Sequence, residues 1–196
     1  MCIRDRAVVV WATLEQLQQE GLIRSYGWST DNTEHAHAFA AQSNGTAIQH
    51  PANVFLDSSE ILASCTQHNL ASINNGPLAM GFLSGKFNAS SHLAADDVRG
   101  GGHDWVTYFV DGKPRQEFLD KLAVIREILA SNGRTPAQGA LAWLWGRSEH
   151  TIPIPGFKTT KQVEENAMAM HFGSLSNDQM QEIERLLLRK QKMPVP

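Results

Sequence analysis

Lys158, Thr159 and Thr160 follow a Pro155-Gly156 break, which itself follows the apolar run Ile152-Pro153-Ile154. A short strand, a glycine turn and a helix opening at Thr159 or Thr160 bring together unpaired first-turn N–H groups and the positive end of a helix dipole. They add a full positive charge and two hydroxyls. Such a combination binds anions, phosphate above all. Farther along the same helix, Gln162 and Asn166 are four residues apart and share one face, with Glu165 beside them. A polar group the size of adenine would fit over that face. An ordinary strand-to-helix connection with a solvated lysine accounts for the same residues equally well.

Other residues with chemical potential read more plainly. His50 follows Gln49 and is expected as a polar residue at a strand end. His35 and His37, two apart on a helix, fall on different faces and argue against a shared metal. Cys2 and Cys65 form neither a disulfide framework nor a metal site. Ser29 lacks the Gly-x-Ser-x-Gly setting of a hydrolase nucleophile. Gly100-Gly101-Gly102 has no helix start after it, so it is not read as a phosphate loop. Trp143 and Trp145 suit helix packing, whereas Trp105 and Phe109 are the better candidates to touch a substrate.

These residues need a scaffold. The chain has 196 residues, enough for one substantial core, with 42 % hydrophobic and 19 % charged residues and a net charge of −3. Its lysines and arginines form no cluster of the size nucleic acid binding requires. The apolar run of residues 7–12 is too short for a membrane span and lacks a cleavage-like flank. The absence of a targeting signal points to a cytoplasmic protein.

The segment of residues 1–6, MCIRDR, stands apart from the pattern that follows and reads as a non-native leader. Val10, Leu14 and Leu17 predict an amphipathic helix closed by Gly21. Strands are expected at residues 23–29, 46–50, 70–74 and 151–154. Helices are expected at 33–43, 61–68, 118–130 and 160–170, and from 135 through Trp145. Thr135-Pro136-Ala137-Gln138 is a capping box with proline at the first helical position, and Ser176-Asn177-Asp178-Gln179 is a second. The second opens a last helix, followed by the basic residues Arg189, Lys190 and Lys192. Residues 88–115 carry little periodicity and are expected to form a long loop, a lid that packs through Trp105, Tyr108 and Phe109. Four strands each followed by helix predict a parallel α/β sheet, either open or half of a barrel.

In their order, these segments resemble the aldo/keto reductases. The resemblance rests on GLIRSYGWS at residues 21–29, Ile48-Gln49-His50 and GPLAMGFLSGK at 76–86. It is completed by TPAQ with ALAWL at 135–144, and by Pro153-Ile154-Pro155-Gly156-Phe157-Lys158 with Gln162, Glu165 and Asn166. It covers roughly residues 7–188, within a domain expected at 7–190.

The resemblance implies the C-terminal half of a (β/α)8 TIM barrel, with about four parallel strands, and NADP as cofactor. It implies hydride transfer between NADPH and a small-molecule aldehyde or ketone, with no nucleic acid or membrane partner. Ser29 and Gln49 would lie near the nicotinamide. Asn74, Gly76 and Leu78 would line the nicotinamide-ribose and pyrophosphate region. Gly81, Leu83, Ser84, Gly85 and Lys86 would wrap the pyrophosphate. Gly156, Phe157, Lys158 and Thr159 would hold the 2′-phosphate, and Gln162, Glu165 and Asn166 the adenine side. Gln162 stands where some branches carry a basic residue, leaving more of the phosphate charge to Lys158. Asn75 also departs from many relatives.

The family's catalytic Asp, Tyr, Lys and His belong to its first four βα units, and no residue here matches them. No catalytic residue is therefore assigned. Tyr26 and Tyr108, the only tyrosines, are poor candidates for the proton donor. The expectation is a fragment that keeps cofactor contacts and is inactive alone. The alternative is a non-catalytic NADP-binding regulatory or sensor subunit.

Overall fold

A computed structural model describes residues 3–188. The basic residues Arg189, Lys190 and Lys192 lie outside them. The chain opens with α1 (Ile3–Gln19), a helix that already includes Ile3–Arg6, and Gly21 follows it with φ +74°. The buried side of α1 differs from the expected one. Val10 is exposed, and Trp11 is buried with Ala7 and Leu14 packed beside it. The spacing 7, 11, 14 also keeps one helical face, and the indole brings more apolar area to it than a valine does.

Two βα units follow, β1 (Gly27–Ser29) with α2 (Thr33–Gln42) and β2 (Ala47–Pro51) with α3 (Ser59–Gln67), and then β3 (Ala71–Asn75). After β3 the chain makes tight turns over Ala79–Ser84, kinked at Met80 and Gly81, and enters the long loop. The helices α4 (Gln116–Leu129) and α5 (Pro136–Arg147) complete the third unit, β6 (Thr151–Pro153) and α6 (Thr160–Met168) make the fourth, and α7 (Asn177–Leu186) is the last helix of the described residues. The expected capping boxes at Thr135 and Ser176 are both formed, each with its Gln side chain returning to the cap N–H. Ala137–Leu144 are all buried, as the apolar run over α5 requires. At Gly139 the backbone of α5 comes so close to Leu129 that a Cβ would collide with that carbonyl.

The principal sheet is parallel, in the order β1-β2-β3-β6. Its register aligns Trp28 with Ile48 and Ser72, and His50 with Asn74 and Pro153. Strand alternation sends these residues to one face. Ile48, His50, Ser72 and Asn74 there are fully buried, and Ile48 joins Trp11, Phe39, Ile61 and Cys65 in one apolar cluster. The opposite face carries Ser29, Gln49, Ile73 and Ile152 in a single row, with Pro51 and Asn75 one step farther along. None of these six is buried, and Ile152 is half exposed. The sheet is thus covered on one face and open on the other. Parallel sheets are ordinarily covered on both.

The long loop contains a feature the sequence reading did not assign. A two-stranded hairpin pairs β4 (Phe109–Val110) with β5 (Lys113–Pro114). Asp111 and Gly112 form its turn with φ +48° and +71°, the left-handed pair that a tight hairpin selects. Beneath it Phe55, Phe82, Phe87, Tyr108, Phe109 and Phe118 make a chain of ring contacts with centroids 4.9–6.4 Å apart. Phe109 is therefore core, not a substrate contact. Trp105 remains exposed and stacks on His103.

Candidate functional site

The residues singled out from the sequence fall on the strands, on the loops that follow them and on α6. Ser29 and Gln49 are adjacent across β1 and β2 on the open face. Asn74 is not with them. It lies on the covered face, where its Nδ2 donates to Ser72 Oγ at 2.9 Å, while His50 Nε2 lies 2.8 Å from the same hydroxyl. Asn75, by the same alternation, stands on the open face beside Pro51. Counting in twos from Gln49 through the register would have selected Asn75 rather than Asn74. His50 lies next to the end of β2, as expected, and is buried on the covered face, where burial holds its pKa below the ordinary histidine value.

Past β3 the chain runs through a left-handed stretch. Gly76 has φ +59°, and Ala79, Met80 and Gly81 have φ +49°, +57° and +84° in succession. Only glycine takes this region freely, so Ala79 and Met80 carry backbone strain, which collects at functional loops. Asn53 braces the start of the turn, its Nδ2 donating to Gly76 O at 3.0 Å and to the Tyr108 hydroxyl at 2.9 Å. Leu83 is buried in the core beside Phe82, leaving only its backbone for a ligand, and Leu78 packs against the same cluster. Ser84 turns inward to Gly81 O at 2.7 Å.

At the end of this turn, Lys86 meets charges from two other segments. Burial, and then the positive charges of Arg99 and Lys158, hold its pKa below the usual lysine value, with Asp97 opposing them. Asp97 is itself held well below the usual carboxylate range, chiefly by hydrogen bonds from the Arg99 side chain and backbone. Arg99 Nη1 and Lys86 Nζ converge on Gly81, each 3.7 Å from where a Cβ there would stand. Asp97 pairs with Arg99, and the positive charge of Lys158 in the β6–α6 connection is felt at both Lys86 and Asp97. Arg99 was missed in the sequence. It stands alone in an aperiodic stretch, and the nearby sequence Asp97-Val98-Arg99 is its sole local signal.

The β6–α6 connection is built differently from expectation. Gly156 does not adopt a left-handed φ, and nothing lies within 4 Å of a Cβ placed there. Thr159 is the N-cap of α6, accepting from Gln162 N–H at 3.3 Å. Gln162 folds back and accepts Lys158 N–H at 2.6 Å, so part of the N-terminal amide array is satisfied internally. Phe157, Lys158 and Thr159 are exposed, while Gln162, Glu165 and Asn166 are half-buried along one side of α6. The Glu165 carbonyl accepts from Gln138 Nε2 at 3.0 Å, which fixes α6 against α5.

Neither tyrosine is placed for proton donation. Tyr26 donates to Glu15 Oε1 at 2.9 Å, and Tyr108 is buried against Asn53. Burial raises the pKa of both. Among the described residues no group of three or more His, Cys, Asp or Glu could hold a metal ion, and no helix is long and apolar enough to cross a membrane.

Comparison with known proteins adds the family context. The model of the aldo/keto reductase family matches residues 6–188. An NADP(+) aldo-keto reductase, yakc, of Schizosaccharomyces pombe is 27 % identical over 174 residues, 85 % of this chain and 47 % of its own. The chloroplastic pyridoxal reductase of Arabidopsis thaliana is 26 % identical over 185 residues, 90 % of this chain and 47 % of its own. The chain spans about half the length of these curated relatives. Glycerol dehydrogenase from Gluconobacter oxydans superposes with a TM-score of 0.74 at 24 % identity, covering 93 % of this chain and 54 % of that one. An aldo/keto reductase from Klebsiella pneumoniae, solved with NADP and acetate, gives 0.62 at 23 % identity, covering 93 % and 54 %.

Proposed function

The chain belongs to the aldo/keto reductase family, and from that premise we propose that it is the cofactor-holding half of an NADP-dependent carbonyl reductase. The observation that carries this reading is the arrangement of these cations. Lys86 and Arg99, from two separate segments, converge at Gly81, Arg99 pairs with Asp97, and the charge of Lys158, from a third, acts on both Lys86 and Asp97. A dinucleotide with a 2′-phosphate presents its anionic groups at two places, and the turn of residues 81–86 and the β6–α6 connection offer two basic places. Lysine suits phosphate as a compact point charge.

In this reading the open face of the sheet is one side of a barrel interior. Ser29 and Gln49 meet the nicotinamide end there, with Asn75 in the place first given to Asn74. Gly81, Gly85 and Lys86 lie along the pyrophosphate, with the backbone of Leu83 and Ser84, and Gly76 and Leu78 border the adjoining ribose. Lys158 and Thr159 hold the 2′-phosphate beside Gly156 and Phe157. Gln162, Glu165 and Asn166 border the adenine. The cofactor, when bound, would supply hydride to an aldehyde or ketone. This chain's own residues bind and orient it, and neither of its tyrosines is placed to protonate the carbonyl oxygen. The remaining strands of a closed barrel would lie against β1 and β6, the two sheet edges.

Calorimetric titration with NADPH, followed by NADPH oxidation assays with a panel of aldehydes, tests the division of labour. The expected result is binding without turnover. Turnover by the chain alone would place catalytic groups within it, and absence of any binding would remove the cofactor reading.

A further inference from the structure

The long loop joins Lys86 at Gly81 through one side chain with almost no freedom left. Arg99 and Asp97 have side-chain exposures of only 14 % and 19 %. Arg99 Nε donates to Asp97 Oδ1 at 2.8 Å, and Nη2 pairs with Asp97 Oδ2. The Arg99 backbone N–H also donates to Oδ1, at 3.0 Å. Nη1 donates to the carbonyl of Met80 at 3.1 Å. The guanidinium lies 5.5 Å from the Phe87 ring centroid and 5.8 Å from that of Phe109.

Met80 is the middle residue of the left-handed run, with φ +57° and ψ +29°. A non-glycine residue stays there only where its surroundings hold it. A fork clamped by a carboxylate on one side and by aromatic rings around it is a rigid holder, since arginine's planar donors lose little freedom per bond formed.

We propose that Arg99 is a positioning residue of the dinucleotide site. Locked by Asp97, it holds the Met80 carbonyl and so keeps residues 79–81 in the shape that presents the turn of residues 81–86 to a pyrophosphate. This rests on the cofactor reading above. It differs from a role as a free phosphate ligand, because the carboxylate that would weaken an anion site is here part of what shapes it.

The two roles give opposite signs on removing Asp97. A charge ligand is freed by Asp97→Asn and binds phosphate more tightly. A positioning residue loses its clamp and the site weakens. Calorimetry on the chain with NADPH, which carries a pyrophosphate, and with 2′-AMP, which does not, reads the difference, with thermal melts confirming that each variant folds. Asp97→Asn and Arg99→Lys are each expected to weaken NADPH binding about tenfold without weakening 2′-AMP binding. Asn is isosteric, so that variant decides the matter even if Arg99→Lys fails to fold. Tighter NADPH binding by Asp97→Asn, unchanged NADPH binding by Arg99→Lys, or equal losses for both probes would each overturn the proposal. An unaltered chain that binds 2′-AMP but not NADPH would also overturn it. One that binds neither probe would overturn the cofactor reading beneath it.

Discussion

The two faces of the parallel sheet are made from the same strands and behave as two different surfaces. The covered face sets Ile48 among Trp11, Phe39 and Ile61 and closes its polar members on one another, through His50, Ser72 and Asn74. The open face holds Ser29, Gln49, Ile73, Asn75 and Ile152, none of them buried. One residue of register separates the two roles, which is why Asn74 and Asn75, identical in chemistry, have different surroundings. Side-chain type alone does not mark a binding residue in a strand; its parity does.

The comparison can be broken by substitution. Ile48→Ala should cost about 2–5 kcal/mol in urea denaturation, because a fully buried side chain leaves a cavity. A much smaller loss would mean that the covered face is loosely packed. A lesser effect is expected from pH. The folded pKa of His50 is lowered by burial, so the unfolded chain takes up this proton first. The group's contribution is neutral above about pH 6.5 and becomes destabilising as pH falls from there toward the lower folded value. The urea midpoint should therefore decline below that pH, and His50→Gln should flatten this limb. An unchanged slope in the variant would remove His50 as its source. The smallest effect belongs to the open face. Ile152→Thr should shift stability by no more than about 0.5 kcal/mol, as for exposed positions. A loss comparable to that of Ile48→Ala would show that something covers this face in solution.

Much of this arrangement was legible in the residues. The capping boxes at Thr135 and Ser176 name both partners of their own hydrogen bonds, so local sequence fixes them. The four parallel strands follow from alternation of short apolar runs with helices, and their ends were read to within a few residues. The β4–β5 hairpin was legible but unread. Asp111-Gly112 between Phe109-Val110 and Lys113 is a turn signal that the aperiodic surroundings obscured. The face taken by Asn74 was not legible from its own strand, because a run as short as Ser72-Ile73-Asn74-Asn75 has polar residues at both parities. Only its register against Gln49 and His50 separates them. Arg99 lay beyond sequence reasoning for a different reason. Beyond the local Asp97, its partners Met80 and Phe87 come from the segment before the loop, and those contacts exist only once the loop folds back.

The central claim is that Lys158 and the turn of residues 81–86 together hold a dinucleotide bearing a 2′-phosphate. The most direct measurement compares NADPH and NADH affinity for the unaltered chain and for Lys158→Ala. Losing a charged hydrogen bond of about 1.5–3 kcal/mol predicts that the chain prefers NADPH by roughly 10- to 100-fold. Lys158→Ala should abolish most of that preference while NADH binding stays nearly constant. Equal affinity of the unaltered chain for the two dinucleotides, or a preference that survives the substitution, would contradict the account.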